Sequence, residues 1–127
     1  MQVQVIKMKE KSQMMNPLKG EVELELGGKT YTTRLTIDAL VRIETALDKG
    51  IIEIVNDLSN AKTRINWLMV VLLQALRGGG NDFKDNDVKE ILTKEGVASA
   101  TVKVAQMLAG ALTDIDSDED VKKNPDE

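Results

Sequence analysis

NPLKGEVELELGGKTYTTRLTIDAL, residues 16 to 40, spells out a β-hairpin and its exit into a helix. Val22, Leu24 and Leu26 alternate with Glu21, Glu23 and Glu25, Gly27-Gly28 turns the chain, and Tyr31, Thr33 and Leu35 alternate with Thr30, Thr32 and Arg34 on the return. A period of two is that of half-buried strands. With Gly27 and Gly28 as a two-residue loop, a tight turn with positive φ at both positions costs little. That loop sets Leu24 opposite Tyr31 and Val22 opposite Thr33, so the apolar residues share one face. A slip of one residue would put glutamates there, which fixes the register. A lone hairpin is marginal in water, and its apolar face is expected to lie on the elements that follow. The glutamates keep a sheet edge soluble on the other face.

Everything downstream reads as helix. Thr36 is placed to cap a helix whose buried side is marked by Ile37, Leu40, Val41, Ala46 and Leu47 and which stops at Gly50. Ile51, Ile54, Val55 and Leu58 follow at the spacing of a short amphipathic helix, punctuated by Ser59 and Asn60. A third helix is predicted over about Ala61 to Arg77, ended by Gly78-Gly79-Gly80 and a loose loop through Lys84. Asp85 is expected to cap a fourth helix carrying Val88, Ile91 and Leu92 and stopping at Gly96. The last helix, Val97 to Thr113, presents Ala98, Thr101, Ala105, Leu108, Ala109 and Leu112 on one side, small residues that suit close helix contact.

The ends carry different signatures. Residues 1–15 hold no sustained period beyond Val3, Val5 and Ile6, which could make a brief strand, and read as a flexible arm. Met14 and Met15 stand just before the patterned region, so residues 1–14 read as an extension from an upstream start. Residues 114–127 hold seven acids against Lys122 and Lys123, a charge of −5 within a total of −4, and read as a disordered acidic tail. The expected class is α+β: an N-terminal β-hairpin packed on a bundle of about five short α-helices, as one domain over residues 16–113.

Composition removes whole classes of chemistry. The 127 residues contain no Cys and no His, so disulfides, thiolate or imidazole metal sites, cysteine nucleophiles and Ser-His-Asp triads are excluded. Tyr31, Trp67 and Phe83 are the only aromatics, so the core must be aliphatic. No stretch has the length of a secretory signal core, and the longest apolar run, Trp67 to Leu73, falls far short of the roughly 20 residues of a membrane span. A soluble cytosolic protein is expected. With the two ends set aside, the middle of the chain carries only −1, and it has no basic stripe, so nucleic-acid binding has little support.

The remaining motifs favour bland readings. Asp114, Asp116 and Asp118 fit the first ligand positions of a calcium loop, but Glu119 stands where Gly is required and Pro125 where the bidentate Glu belongs. Asp82, Asp85 and Asp87 read as solubilising and helix-capping. No Gly-Lys-Ser/Thr follows Gly78 to Gly80, which reads as a helix stop and hinge rather than a phosphate loop. Gln106 stands one turn before Gly110, which rules out a small-residue contact motif there; Ala105 and Ala109 read as internal packing. No catalytic residue, cofactor or metal ligand is indicated.

Trp67 to Leu73 is apolar on nearly all sides. Such a helix is either the centre of the core or a surface for another chain, and a domain this small has difficulty covering it completely. Trp67, Met69, Val70 and Leu73 are the residues expected to meet a partner, or a second copy if the surface is a self-association seam.

The span from Asn16 to Val55 resembles the small tail assembly chaperones of tailed phages and of phage-like gene transfer agents. The resemblance rests on Asn16-Pro17, on Gly20, Glu21, Val22, Leu24, Gly27, Gly28 and Tyr31 in the hairpin, and on Leu35, Leu40, Leu47 and Gly50 beyond it. A less specific likeness reaches residue 113, and both ends of the chain fall outside it. The resemblance implies a non-enzymatic protein of the bacterial host cytoplasm. Such a protein binds the tape-measure protein, shelters its apolar helical segments, aids assembly of the tail tube protein, and is absent from the mature particle. Similar proteins are also described as tail tube proteins. The alternative reading is therefore a structural tail component, a tube or tail-completion subunit, although the chain has little β-sequence for a ring closed by strands. A small DNA-binding regulator using the helices between Ile37 and Arg77 is a third reading, weakened by the near-neutral middle.

Overall fold

The hairpin forms in the register that its alternation dictates. In the computed structural model, which describes the backbone of residues 20–126 and side chains through Thr113, β1 (Glu21–Leu26) pairs antiparallel with β2 (Lys29–Arg34). Leu24 faces Tyr31 and Val22 faces Thr33. Gly27 and Gly28 take φ of 60° and 86°, the primed turn that matches the twist of the strands. Thr33 is buried, and its hydroxyl donates to the Val22 carbonyl at 2.8 Å, so the polar group on the apolar face is satisfied within the hairpin.

Five helices follow: α1 (Ile37–Leu47), α2 (Ile51–Ser59), α3 (Ile65–Gly78), α4 (Asp85–Glu95) and α5 (Val97–Asp126). The fold is α+β. Helix α3 packs against β2, α1, α4 and α5, while α5 lies against α2 and β1, so the hairpin rests on the bundle instead of standing free. One aliphatic cluster joins Leu26 of the hairpin to Ile43, Ile54, Leu68, Leu72, Val88 and Leu108 of the helices.

Several local expectations change. The buried side of α1 is Ala39, Leu40 and Ile43, with Leu47 half-buried, whereas Ile37, Val41 and Ala46 are exposed. Because α1 carries apolar residues around most of its circumference, two stripes compete, and contact with α3 selects the one through Ile43. Thr36 caps α1 as expected, its hydroxyl accepting the Ala39 N–H at 3.1 Å. The third helix begins at Ile65, after a turn in which Ala61 takes φ of 61°. At α4 the capping carboxylate is Asp87, not Asp85: it reaches back to accept the Lys84 N–H at 2.8 Å.

The loop after α3 is pinned. Asn81 Nδ2 donates to the carbonyls of Thr32 (2.9 Å) and Leu76 (3.0 Å), Arg77 Nε donates to Phe83 O (3.0 Å), and the Phe83 ring meets Tyr31 edge-on at 5.9 Å. Gly78 and Gly79 press directly on β2, where any Cβ would run into the carbonyl of Arg34 or Thr32. The glycine run is thus a site of close backbone approach as well as a helix stop.

The backbone of α5 continues as helix through Asp126, where the sequence leads to an expectation of a disordered tail. Extending a helix already nucleated by its packed part costs less than starting one. The side chains of 114–127, including the calcium-like acids, lie outside the described residues, as do residues 1–15 with the expected arm and strand at Val3 to Ile6.

Candidate functional site

Helix α3 owes its position to its sequence. Trp67, Leu68, Val71, Leu72, Ala75 and Leu76 are buried, which takes up slightly more than half the helix surface and leaves the other apolar residues without an inward direction. Of the four residues expected to meet a partner, Trp67 belongs to the core at 9% exposure. Lys49 Nζ stands 4.9 Å and the Arg64 guanidinium 5.9 Å from its ring centroid, so the indole is roofed by cations. Asp57 and Glu53 hold Lys49 in place at 2.9 Å and 3.5 Å. The hydrogen bond to Asp57 raises the Lys49 pKa against some desolvation. Met69, Val70 and Leu73 are half-buried at the margin of the core, and Ile65, one turn before Met69, is 57% exposed. On the neighbouring α1, Ile37 and Val41 are exposed as well, and Arg42 Nε reaches across to Gln74 Oε1 at 2.9 Å. The structure therefore keeps Met69, Val70 and Leu73 on one partly open helix side and removes Trp67 from it.

A second surface has no counterpart in the sequence reading. Between α2 and α5 runs an open groove of about 780 Å³, lined by Leu58, Ala98, Thr101, Val102, Ala105 and Ala109 among others. Val102 is 56% exposed, and the Thr101 hydroxyl is already engaged with Val97 O at 2.8 Å, so the lining offers few free polar groups. The alternation of small and larger residues in α5 was the available signal, but it reads equally well as internal packing. Only the placement of α2 decides which of these residues stay open.

Polar chemistry gathers at one further point, the α4–α5 corner. Glu95 accepts the Gly27 N–H at 2.7 Å, the Ser99 hydroxyl, and Lys103 Nζ at 2.9 Å, and Lys103 also donates to the Glu25 carbonyl at 2.7 Å. Held chiefly by Ser99, then by Gly27 and Lys103, the Glu95 carboxyl titrates at about 2 instead of 4.5. Every member has a partner inside the fold, and the cluster fastens the hairpin tip to the α4–α5 corner. Among the described residues, no group of three or more acidic side chains is arranged to hold a metal ion, and no helix is long and apolar enough to cross a membrane.

Neither a curated protein nor a solved structure gives a significant match. Residues 19–114 match the model of a family described as "Phage tail tube protein, GTA-gp10", a span that covers the hairpin and all five helices up to the acidic stretch. The chain belongs to that family, and its role is tied to the tails of phages and gene transfer agents.

Proposed function

We propose that this protein is a non-enzymatic tail assembly chaperone that binds the tape-measure protein and aids assembly of the tail tube around it. The observation that carries this reading is the incomplete cover of α3. The helix packs against β2, α1, α4 and α5, yet Met69, Val70 and Leu73 remain half-buried and Ile65 is open. An amphipathic helix laid along that side would complete the burial, each apolar side chain contributing by the area it loses to water. Tape-measure segments are long, helical and apolar, and sheltering them until the tube forms would keep them soluble. The protein would act in the bacterial cytoplasm, without cofactor, and leave before the particle is finished.

The architecture supports a transient role. The only strands among the described residues are the two of one hairpin, and β2 is already covered by the C-terminal end of α3. A tube ring closed by β-strands needs each subunit to offer strands to its neighbours. The second reading, a structural tail component retained in the particle, is favoured by the family's own description.

Co-expression with a tape-measure protein tests the proposal. The expected result is a soluble complex that co-purifies, together with loss of the tape-measure protein to the pellet when this chain is omitted. Unchanged solubility without co-purification would overturn it. Mass spectrometry of purified particles separates the two readings, since a chaperone is absent there and a structural subunit is present in stoichiometric amount.

A further inference from the structure

We infer that the open edge of β1 is the docking site of the chain's own Val5-Ile6-Lys7-Met8-Lys9, which adds to it as a third antiparallel strand. The edge lies across the hairpin from α3, and the inference does not depend on the surface that carries the proposed function.

The hairpin has one covered edge and one open edge. With Gly27-Gly28 as the loop, the main-chain groups of Val22, Leu24 and Leu26 face β2, and those of Glu21, Glu23 and Glu25 point away from it. On the far side of β2 the equivalent groups are met. Gly78 and Gly79 press on the Arg34 and Thr32 carbonyls, and Asn81 Nδ2 donates to Thr32 O. On β1 the Glu25 carbonyl is engaged by Lys103 Nζ at 2.7 Å. Among the described residues nothing bonds the main chain of Glu21 or Glu23 on that side. Val22, 36% exposed, and the half-buried Leu24 leave the inner face unfinished beside them. Such an edge is completed by a strand, because an extended segment matches its alternation of donors and acceptors. Lys103 sets the limit of that strand at Glu25.

The glutamates select among strands. Glu21, Glu23 and Glu25 share one face and make no ion pair among the described residues. A second copy pairing edge to edge would set glutamate against glutamate, which is destabilising. The fitting strand carries cations at alternate positions with apolar residues between them. Residues 5–9 have that pattern, and they belong to the segment that leads directly into β1. Antiparallel pairing with Lys7 opposite Glu23 sets Lys9 opposite Glu21, Met8 opposite Val22 and Ile6 opposite Leu24. One register thus matches the charged face and the apolar face together, and a slip of one residue loses both. Residues 10–20 form the return, ample for neighbouring strands about 4.8 Å apart, and Gly20 turns the chain into β1 with φ of 83°.

Hydrogen exchange on the full chain reads the edge directly. The Glu23 N–H is expected to exchange at least about tenfold more slowly than an open amide. Lys7→Pro, which removes the opposing N–H, should return it to the open rate with an unchanged helical circular dichroism signal. Because the chain has no cysteine, engineered pairs report the register without background. Positions 8 and 22 form a non-hydrogen-bonded pair, whose Cα atoms lie about 4.5 Å apart, within reach of a disulfide. Oxidised Met8→Cys/Val22→Cys protein is expected to form an intramolecular link. Met8→Cys/Glu23→Cys, whose side chains would point to opposite faces, is expected to stay open. A Glu23 N–H that exchanges at the open rate in the wild-type chain, or protection that survives Lys7→Pro, would overturn the inference and leave the edge to a strand from another protein. Disulfide-linked dimers in place of the intramolecular link would overturn it in favour of a second copy. Equal linking of both cysteine pairs would overturn the register and the strand with it.

Discussion

Glu95 accepts the backbone N–H of Gly27 at 2.7 Å across 68 residues of chain, fastening the hairpin turn to the corner between α4 and α5. The same carboxylate takes the Ser99 hydroxyl and Lys103, and Lys103 in turn holds the Glu25 carbonyl, so the end of β1 and the first turn residue are tied to the α4–α5 corner. A two-stranded sheet with its tip clamped in this way behaves as part of the helical body.

The clamp makes stability depend on acid. The Glu95 carboxyl sits at about 2 in the fold against 4.5 ordinarily, a depressed value. Its contribution is therefore fully present above about pH 4.5 and is lost as pH falls through about 2. Glu95→Gln is expected to melt at a lower temperature than wild type at pH 7, and the difference should shrink as pH is lowered through that window. Thermal denaturation of both proteins at closely spaced pH values is the measurement. A difference that stays constant down to pH 2 would mean that Glu95 is not the linked group.

Glycines in this chain have opposite roles, and alanine substitutions separate them. A Cβ on Gly79 would strike the Thr32 carbonyl, backbone against backbone, so Gly79→Ala should destabilise by about 3 kcal/mol or more. Gly110, within α5, has open space around it, and Gly110→Ala should stabilise by about 1 kcal/mol through helix propensity alone. Urea denaturation checks both signs in one experiment, and equal effects would refute the close approach of α3 to β2.

The hairpin was legible because period-two alternation and a Gly-Gly turn leave one register, and the pairs Leu24–Tyr31 and Val22–Thr33 form as read. Helix ends at Gly78–Gly80 and Gly96 were legible for the same reason, since glycine interrupts a pattern locally; α1, expected to run to Gly50, instead stops at Leu47 with Asp48 in the left-handed conformation, and Gly50 caps the start of α2. Which side of a helix turns inward is not a local property when apolar residues ring it. Ile37 and Val41 fit a helical stripe as well as Ala39 and Ile43 do, and packing on α3 chose the latter. Of the residues expected to meet a partner, Met69, Val70 and Leu73 keep partial exposure, but Trp67 is taken into the core. The groove on α5 could not be read at all, because its second wall, α2, lies some forty residues earlier in the sequence.

Thr36 offers a measurement of how independent α1 is. Its hydroxyl accepts the Ala39 N–H at 3.1 Å while Leu40 N–H bonds the Thr36 carbonyl at 2.9 Å, so one residue closes both the side-chain and main-chain bonds of the first turn. Thr36→Ala should cost about 1 kcal/mol, a fall in melting temperature of about 4–8 °C for a domain of this size. Thr36→Ser, which keeps the hydroxyl, should recover most of it.

The single tryptophan separates folding from partner binding. Trp67 is almost wholly buried under Lys49 and Arg64, and truncating it should cost about 3–5 kcal/mol, a large share of the about 5–15 kcal/mol that holds a domain together. A Trp67→Ala protein that fails to bind a partner would therefore say little about the surface. Ile65→Lys combined with Leu73→Gln changes the outer side of α3 while leaving Leu68, Val71, Leu72 and Leu76 in the core. This double variant is expected to keep the tryptophan emission of wild type and an unfolding free energy within about 1 kcal/mol of it, because exposed and half-exposed positions contribute little to folding. Co-purification with the tape-measure protein should fall at least tenfold, since each polar group would have to be buried unpaired against an apolar helix. If binding survives with the fold intact, the client surface lies elsewhere and the open side of α3 is only surplus apolar area.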